Sequence, residues 1–510
     1  MGVEPVADVK FDPPASAKQE DPPHEAESED HQRDHQQVEG VANEVPAETG
    51  HEVVHRCAQD EGDDELKRVH NEQRDHARQQ APPVPPELTK DSTHEDRGLY
   101  SNGVLAKGGS VREIPELIEA YVADLKKRAA IKSAAVEHAF RRVSRHRLLE
   151  GFYREDEQGE HQYGTTRFAW RKSNPDSPDP DLLRIVYSDT PVLTRLSPPS
   201  STSQPYLVAR MLELLELEQG MNVLEIGAGT GYNAALIQEI VGKTGHVTTL
   251  DIQADVVEQT TRLLKAAGYR RIEVIAKDGA MGHAENAPYD RIVATVGCSD
   301  VSSRWVEQLA ERGFMLIPLQ HGAEGFDPLT RIWVEEERVL GRFVGWSGFM
   351  SIRGALESEQ RLSFEKQEQV SAGPPQAELP VVSVSEEIER IFGRTWNERT
   401  EDEQARYLDF PLFLAVSGWD VFWTKEGSGL WHRRGGVVVG KHKVLVHGDV
   451  SLVQDLQSLC AEWVELGRPG HADWRLEFQR RADAAELPGG EGTWTIERKF
   501  STEVARLEKP

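Results

Sequence analysis

The sequence predicts an α/β fold: a doubly wound, Rossmann-like, mainly parallel sheet, with a disordered acidic N-terminal tail before it and a small α+β domain after it. Three observations carry that expectation. Between residues 221 and 317, apolar runs of strand length alternate with segments whose apolar residues recur at helical spacing, the pattern of strands joined by crossover helices. The first of these strands turns through Gly227-Ala-Gly-Thr-Gly231 into a helix, an arrangement that places ligands at the carboxyl ends of parallel strands. On either side the composition changes, toward acid and proline before this region and toward tryptophan after it.

Charge sets the N-terminal part apart. The chain has 510 residues and a formal net charge of −27, and its first 100 residues hold 25 acidic against 10 basic side chains. With few large apolar residues, 1–109 cannot bury enough surface to offset the entropy of ordering, so a disordered tail is expected there. Eight of the 18 histidines lie in it and read as solvated tail residues rather than metal ligands. Cys57, Cys298 and Cys460 are too far apart in sequence for a disulfide framework or a clustered zinc site, and no metal is expected. No apolar run approaches the roughly 18 residues of a membrane span, and the opening lacks a signal peptide's basic-then-apolar order. The acidic balance argues against nucleic acid and membrane as partners. A cytoplasmic protein is expected.

One folded domain is expected over 110–356, helical up to 196 and with its core at 197–356. Ile114, Leu117, Ile118, Tyr121, Val122 and Leu125 mark a first amphipathic helix, and Ala135, Ala139, Phe140 and Val143 a second. Residues 151–196 are mixed and polar, with turn signals at Asn174-Pro175 and Ser177-Pro-Asp-Pro180. The loop Ser197–Pro205 feeds a helix with Leu207, Met211, Leu214 and Leu215 on one face; Ser203 is its expected N-cap. There follow a strand at 221–226, the glycine turn, a helix through Ala234 and Ile240, and a strand at 247–250 ending on Asp251. A helix at 256–267, a strand at 272–276 with Asp278-Gly279 behind it, a strand at 291–296, a helix at 305–310 and a strand at 314–317 complete the series.

The turn has a chemical logic. Glycines let the backbone pass close beneath a ligand, the helix after them offers free N–H groups, and an acid ending the second strand can accept both hydroxyls of a ribose. Gly227, Gly229, Gly231 and Asp251 are therefore expected to bind a cofactor, with Asp278 and Gly279 near its adenine. A dinucleotide fold wants a small residue at the third glycine position of its fingerprint, where this chain has Tyr232. That residue, with Glu225 two positions before the first glycine, favours S-adenosylmethionine (SAM). Glu225 either contacts the ligand or supports the turn.

Ser203-Gln-Pro-Tyr206, Val208-Ala-Arg-Met211, Val223-Leu-Glu-Ile-Gly-Ala-Gly-Thr-Gly-Tyr232, Asp278-Gly279 and Ala287-Pro-Tyr-Asp290 together resemble protein-L-isoaspartate O-methyltransferase. Phe140–His146 is similar to that family's N-terminal helix end, and Asp290–Gly297, Trp305 and Gly348–Gly354 look like its actinobacterial branch. The resemblance covers about residues 111–355. It implies a class I SAM-dependent methyltransferase core that methylates the carboxylate of isoaspartyl residues in proteins or peptides. In that branch it also implies, as the alternative, an aspartate of one dedicated ribosomal peptide. Ser203 matches the serine that the family places beside the substrate carboxylate, with Thr202 and Ser201 as further candidates; from the residues alone Ser203 is first a helix cap. Such a reaction needs no general base, because a carboxylate is already ionised at neutral pH. It needs the oxygen held in line with the methyl carbon. A catalytically silent SAM-binding interaction protein is the reading from another class, and the intact glycines, acids and Ser203 speak against it.

Two segments depart from the family pattern. Gly297-Cys-Ser-Asp-Val-Ser-Ser303 replaces an Ala-Pro-rich stretch, and 151–196 lacks the Gly-rich approach to the serine; both are expected to shape the substrate pocket. Cys298 is expected to be a buried filler and His321 a loop residue. Residues 357–380 read as a linker and 381–510 as the α+β domain, whose aromatics (Trp396, Phe410, Phe413, Trp419, Phe422, Trp423, Trp431, Trp463, Trp474, Trp494) read as core.

Overall fold

The computed structural model describes residues 114–163, 166–174, 178–358, 373–394, 403, 406–424, 426–481 and 492–508. The expected acidic tail, Trp396 and most of the expected linker lie outside them. Helices Ile114–Lys127 and Ala134–Arg142 form where the apolar spacing predicts them, burying Tyr121, Val122 and Leu125 from the first and Val136, Ala139 and Phe140 from the second. Ser133 caps the second helix by accepting from Val136 N.

The next stretch differs from the expected helical part. β1 (Gly151–Glu155), β2 (His161–Tyr163), β3 (Thr166–Lys172), β4 (Val192–Leu196) and β5 (Pro199–Thr202) form an antiparallel sheet in the order β2-β3-β1-β4-β5. In β1 only Gly151 and Phe152 are buried, and β3 has no fully buried residue. With so little burial, no clean alternation marks these strands in the sequence.

β6 (Asn222–Ile226), β7 (His246–Asp251), β8 (Glu273–Ala276), β9 (Tyr289–Ala294) and β10 (Leu309–Pro318) are the expected parallel strands, in the order β8-β7-β6-β9-β10. The chain reverses its direction across the sheet between β6 and β9, which opens a crevice beyond their carboxyl ends. Strand side chains alternate between faces. Leu224, Ile226, Ile292, Ala294, Met315 and Ile317 join one core, while Val223, Val293, Phe314 and Leu316 join the other, beneath the helices at 114–142, 205–214 and 232–241.

Beyond β10 the sheet grows antiparallel through β11 (Asp327–Glu335) and β12 (Arg338–Ser347). Downstream, β13 (Ala377–Pro380), β14 (Asp420–Trp423), β15 (Ser428–His432), β16 (Gly435–Val439) and β17 (Lys443–Gly448) make a separate antiparallel sheet covered by helix Leu452–Glu465, the α+β unit expected from the sequence. The last strands go elsewhere. β18 (Trp474–Arg480), β19 (Thr493–Glu497) and β20 (Ser501–Leu507) extend the large sheet from β12, Val339 pairing with Phe478 and Gly341 with Leu476. Residues 381–510 are therefore not a freestanding domain. Trp305 and Met315 share one core with Phe410, Trp463 and Trp474, so the described aromatics serve mainly as packing.

Buried charge fastens this extension. Arg498, in the β19–β20 turn, donates through Nη1 to the carbonyls of Ser299 (2.8 Å) and Gln320 (3.0 Å) and through Nε to Glu503 Oε2 (2.7 Å). His321, expected as a plain loop residue, is fully buried here, with Nε2 3.1 Å from Arg498 Nη2 and Nδ1 2.8 Å from the Leu319 carbonyl. Asp300 accepts from Phe500 N (2.6 Å) and from Ser501 Oγ (2.5 Å). The unusual 297–303 loop is thus shaped to receive the C-terminal strands.

Burial alone would raise the Glu503 pKa, but Arg498 and His321 outweigh it and hold the carboxyl at about 2. Its stabilising contribution is present above the ordinary carboxylate range and is lost as pH falls toward 2. Arg498→Met strands that buried carboxylate and is expected to cost about 3–5 kcal/mol at neutral pH. The double variant Arg498→Met/Glu503→Gln should recover most of the loss. Denaturant unfolding of the three proteins checks both.

Candidate active site

A cleft of about 620 Å³ opens at the carboxyl ends of β6, β7 and β9, within the size range of small-ligand sites. Ser201, Thr202 and Ser203 form one wall, the 225–230 turn its floor, Asp251–Gln253 a second wall, and Phe349–Arg353 a third. The structure therefore brings together Ser201, Thr202, Ser203, Glu225, Gly227, Gly229, Asp251 and Gly279 around one space. Gly231 lies one residue from that floor. Asp278 does not line it.

The turn is built from tight contacts. Gly227 has φ +101°, and a Cβ there would meet Thr295 Oγ1 at 2.8 Å; the same hydroxyl donates to the Gly227 carbonyl at 2.8 Å. Gly231 has φ +79° and presses on Thr260 and Leu264 of helix Ala254–Ala267, leaving 2.9 Å for a Cβ. Only glycine satisfies both the backbone and the space. Tyr232 borders the cleft, and its hydroxyl lies 3.3 Å from that of Tyr121 beneath the N-terminal helices. Helix Tyr232–Val241 starts without a side-chain cap, so its first N–H groups remain available at the cleft.

Asp251 ends β7 as expected, its carboxylate accepting from Gly229 N (3.2 Å) and Gln253 N (3.1 Å). Glu225 is nearly inaccessible; Asn233 Nδ2 donates to one oxygen (2.8 Å) and Thr249 Oγ1 to the other (2.6 Å). Those bonds tie the end of β6 to β7 and to the helix after the turn, which is a supporting role. Asp278 accepts from Ala280 N (2.9 Å) and Ala355 N (2.8 Å). Its carboxylate thereby anchors the 353–355 segment through Ala355 N.

Ser203 is not the helix cap. Helix Pro205–Leu214 begins after Gln204, and Asp189 caps it from outside, accepting from Tyr206 N (2.7 Å) and Gln204 Nε2 (3.0 Å). The Ser203 hydroxyl has no hydrogen bond within the described structure, whereas its carbonyl accepts from Arg145 Nη2 (2.9 Å). Arg145 is fully buried and also binds the carbonyls of Val186 (2.7 Å), Thr190 (3.2 Å) and Thr202 (3.3 Å). Neither Arg145 nor Asp189 stands out in the sequence as a site residue, because each acts through backbone groups some 40 to 60 residues away or by reaching across a turn. Cys298 is buried, and burial raises its thiol pKa, so it is a filler and not a nucleophile.

Of the charged side chains lining the cleft, Glu225, Asp251, Glu324 and Glu357 are acidic and Arg353 is basic. Such a wall suits a cationic ligand. Burial pushes Glu225 up to about 7, the Thr249 and Asn233 hydrogen bonds only partly opposing it. Because the folded value lies above the unfolded one, the group's stabilising contribution is complete below the ordinary carboxylate range and is lost as pH rises to about 7. Between pH 5 and 8 the ligand-free protein is expected to lose about 2–3 kcal/mol relative to Glu225→Gln, read by denaturant unfolding of both.

A model of the protein-L-isoaspartate(D-aspartate) O-methyltransferase family matches residues 179–340. The protein-L-isoaspartate O-methyltransferase of Methanosarcina mazei is 42% identical over 136 residues, 27% of this chain and 55% of that protein. That of Thermococcus sibiricus is 38% identical over 199 residues, 39% of this chain and 75% of the relative. A solved protein-L-isoaspartate O-methyltransferase is 22% identical and covers 71% of this chain and 96% of its own, with a TM-score of 0.41. The chain thus spans between about half and three quarters of these two curated relatives. On its likeness to the Thermococcus sibiricus enzyme, of which it covers three quarters, the chain belongs to the protein-L-isoaspartate O-methyltransferase family.

Proposed function

We propose that the chain transfers a methyl group from SAM to the carboxylate of isoaspartyl residues in polypeptides. The observation that carries this reading is the Ser203 hydroxyl, without a partner among the described residues, on the wall of a mostly acidic cleft built on the glycine turn. Bound there, SAM supplies an electrophilic methyl on a cationic sulfur. The residues present fit such a group: Gly227 and Gly229 leave room for it, Asp251 can accept from ribose hydroxyls, Gly279 lies at the adenine side, and the acidic walls favour its positive charge.

The protein's own work is placement. A hydroxyl at Ser203 can donate to one carboxylate oxygen and so aim the other along the line of transfer. Arg145 fixes where that hydroxyl stands by holding the carbonyls of Thr202 and Ser203. Thr202 is buried and Ser201 partly exposed, so Ser201 is the better second contact for substrate. Once the methyl is transferred the acceptor is a neutral ester, and no proton needs to move.

Labelled SAM offered with matched isoaspartyl and aspartyl peptides tests the reading. Label is expected on the isoaspartyl peptide, and Ser203→Ala should lower kcat/KM by about 10- to 100-fold, the loss of one aligned hydrogen bond to a charged group. Asp251→Asn should instead weaken binding of S-adenosylhomocysteine, measured by calorimetry, by about tenfold. Label on the aspartyl peptide alone would overturn isoaspartyl specificity and favour the dedicated-peptide reading.

A further inference from the structure

The acidic walls that suit a cationic cofactor are wrong for the other reactant. A carboxylate entering the cleft meets Asp251, Glu324 and Glu357, and among the described residues one basic side chain lines the same space, Arg353. Arg353 makes no ion pair or side-chain hydrogen bond within the described structure, although Glu324 lies close enough to accept from Ser351 N at 3.1 Å. The backbone on both sides of it is pinned. Ile352 N donates to the Gly297 carbonyl (2.9 Å), Gly297 N donates to the Met350 carbonyl (2.9 Å), and Ala355 N donates to Asp278 (2.8 Å). Gly354, at φ +90°, leaves no room for a side chain against the Asp278 carboxylate. Among the described residues Arg353 is therefore an unpaired guanidinium, on a backbone held on both sides, in the wall of an acidic cleft.

We propose that Arg353 binds the acceptor carboxylate and makes its negative charge the feature by which substrate is told from product. A planar guanidinium matches a carboxylate with two parallel hydrogen bonds, and it gains far less from a neutral amide or ester. Transfer of the methyl removes the charge, so the ester loses its hold on Arg353 while the acidic walls no longer repel it. At Arg353 itself the hold is stronger before the reaction than after it, while the lifted repulsion works the other way. Asp278, which does not contact the ligand space, contributes by anchoring the 353–355 segment.

This inference rests on the methyl-transfer reading. The test uses a fluorescein-labelled isoaspartyl peptide and its twin with the acceptor carboxylate replaced by carboxamide. Both are titrated by anisotropy onto the full chain saturated with S-adenosylhomocysteine, as wild type, Arg353→Gln and Arg353→Lys. Wild type is expected to prefer the acid over the amide by about 10- to 100-fold, the size of a charge-assisted pair. Arg353→Gln should lose that preference with its affinity for the amide unchanged, which also shows that it is folded, and Arg353→Lys should keep part of it. An acid preference that survives in Arg353→Gln overturns the inference. Wild type that methylates the isoaspartyl peptide yet shows no acid preference overturns it too, and leaves the methyl-transfer reading standing. Wild type that neither binds nor methylates the peptide sinks both.

Discussion

β6 lies inside a ten-stranded sheet, third from its β8 edge and buried on both faces, and yet it has to end in open space. Gly227 is where that happens. Its backbone leaves the strand at φ +101°, with Thr295 from the neighbouring strand's exit pressed against its α-carbon. Its N–H and that of Ala228 both donate to the Leu250 carbonyl at the end of β7. The exits of β6, β7 and β9 are locked together by these few bonds, and the cleft is the space they leave. Glu225, one turn of strand earlier, braces the same junction from below through Thr249 and Asn233.

A second constraint works from the opposite end of the chain. The cleft wall contains Gln320, whose side chain donates to Ser351 Oγ (2.8 Å) and whose carbonyl is held by Arg498. The residue after Gln320 is His321, inside the buried charge cluster. The last strands of the protein therefore reach the cleft through one short backbone segment. Removing a charge from that cluster is costly because its partners cannot reach water, so the C-terminal extension and the cleft wall hold together as a unit.

Electrostatics divides the cleft between two reactants of opposite sign. Acids on its floor and walls suit a cation, and two of them, Glu225 and Asp251, are already oriented by protein donors. In the proposed reaction the anionic partner is left to a hydroxyl and a guanidinium that have no bond or ion pair among the described residues. Transfer of a methyl between two such partners ends in the loss of both formal charges. No proton has to enter or leave the site for that outcome, so the main demand on it is alignment.

Local pattern determined much of this protein. The alternation of apolar strands and helical segments, the glycines that only glycine can replace, Asp251 at the strand end and the Ser203 motif are all written within short stretches, where spacing and side-chain size act directly on the backbone. Long-range pairing decided the rest. The polar strands at 151–202 lack the buried face that would announce them. β18, β19 and β20 look like parts of their own domain until the hydrogen bonds to β12 are seen. The bond from Asp278 to Ala355 is not visible in the sequence, and Ser203 looks like a cap until Asp189 takes that place. Arg145, Arg498 and Arg353 are ordinary surface-type residues in the sequence. Two were revealed as clamps and one, among the described residues, as an unpaired charge only when the fold placed them, since a guanidinium's role depends on which carbonyls and carboxylates it can reach.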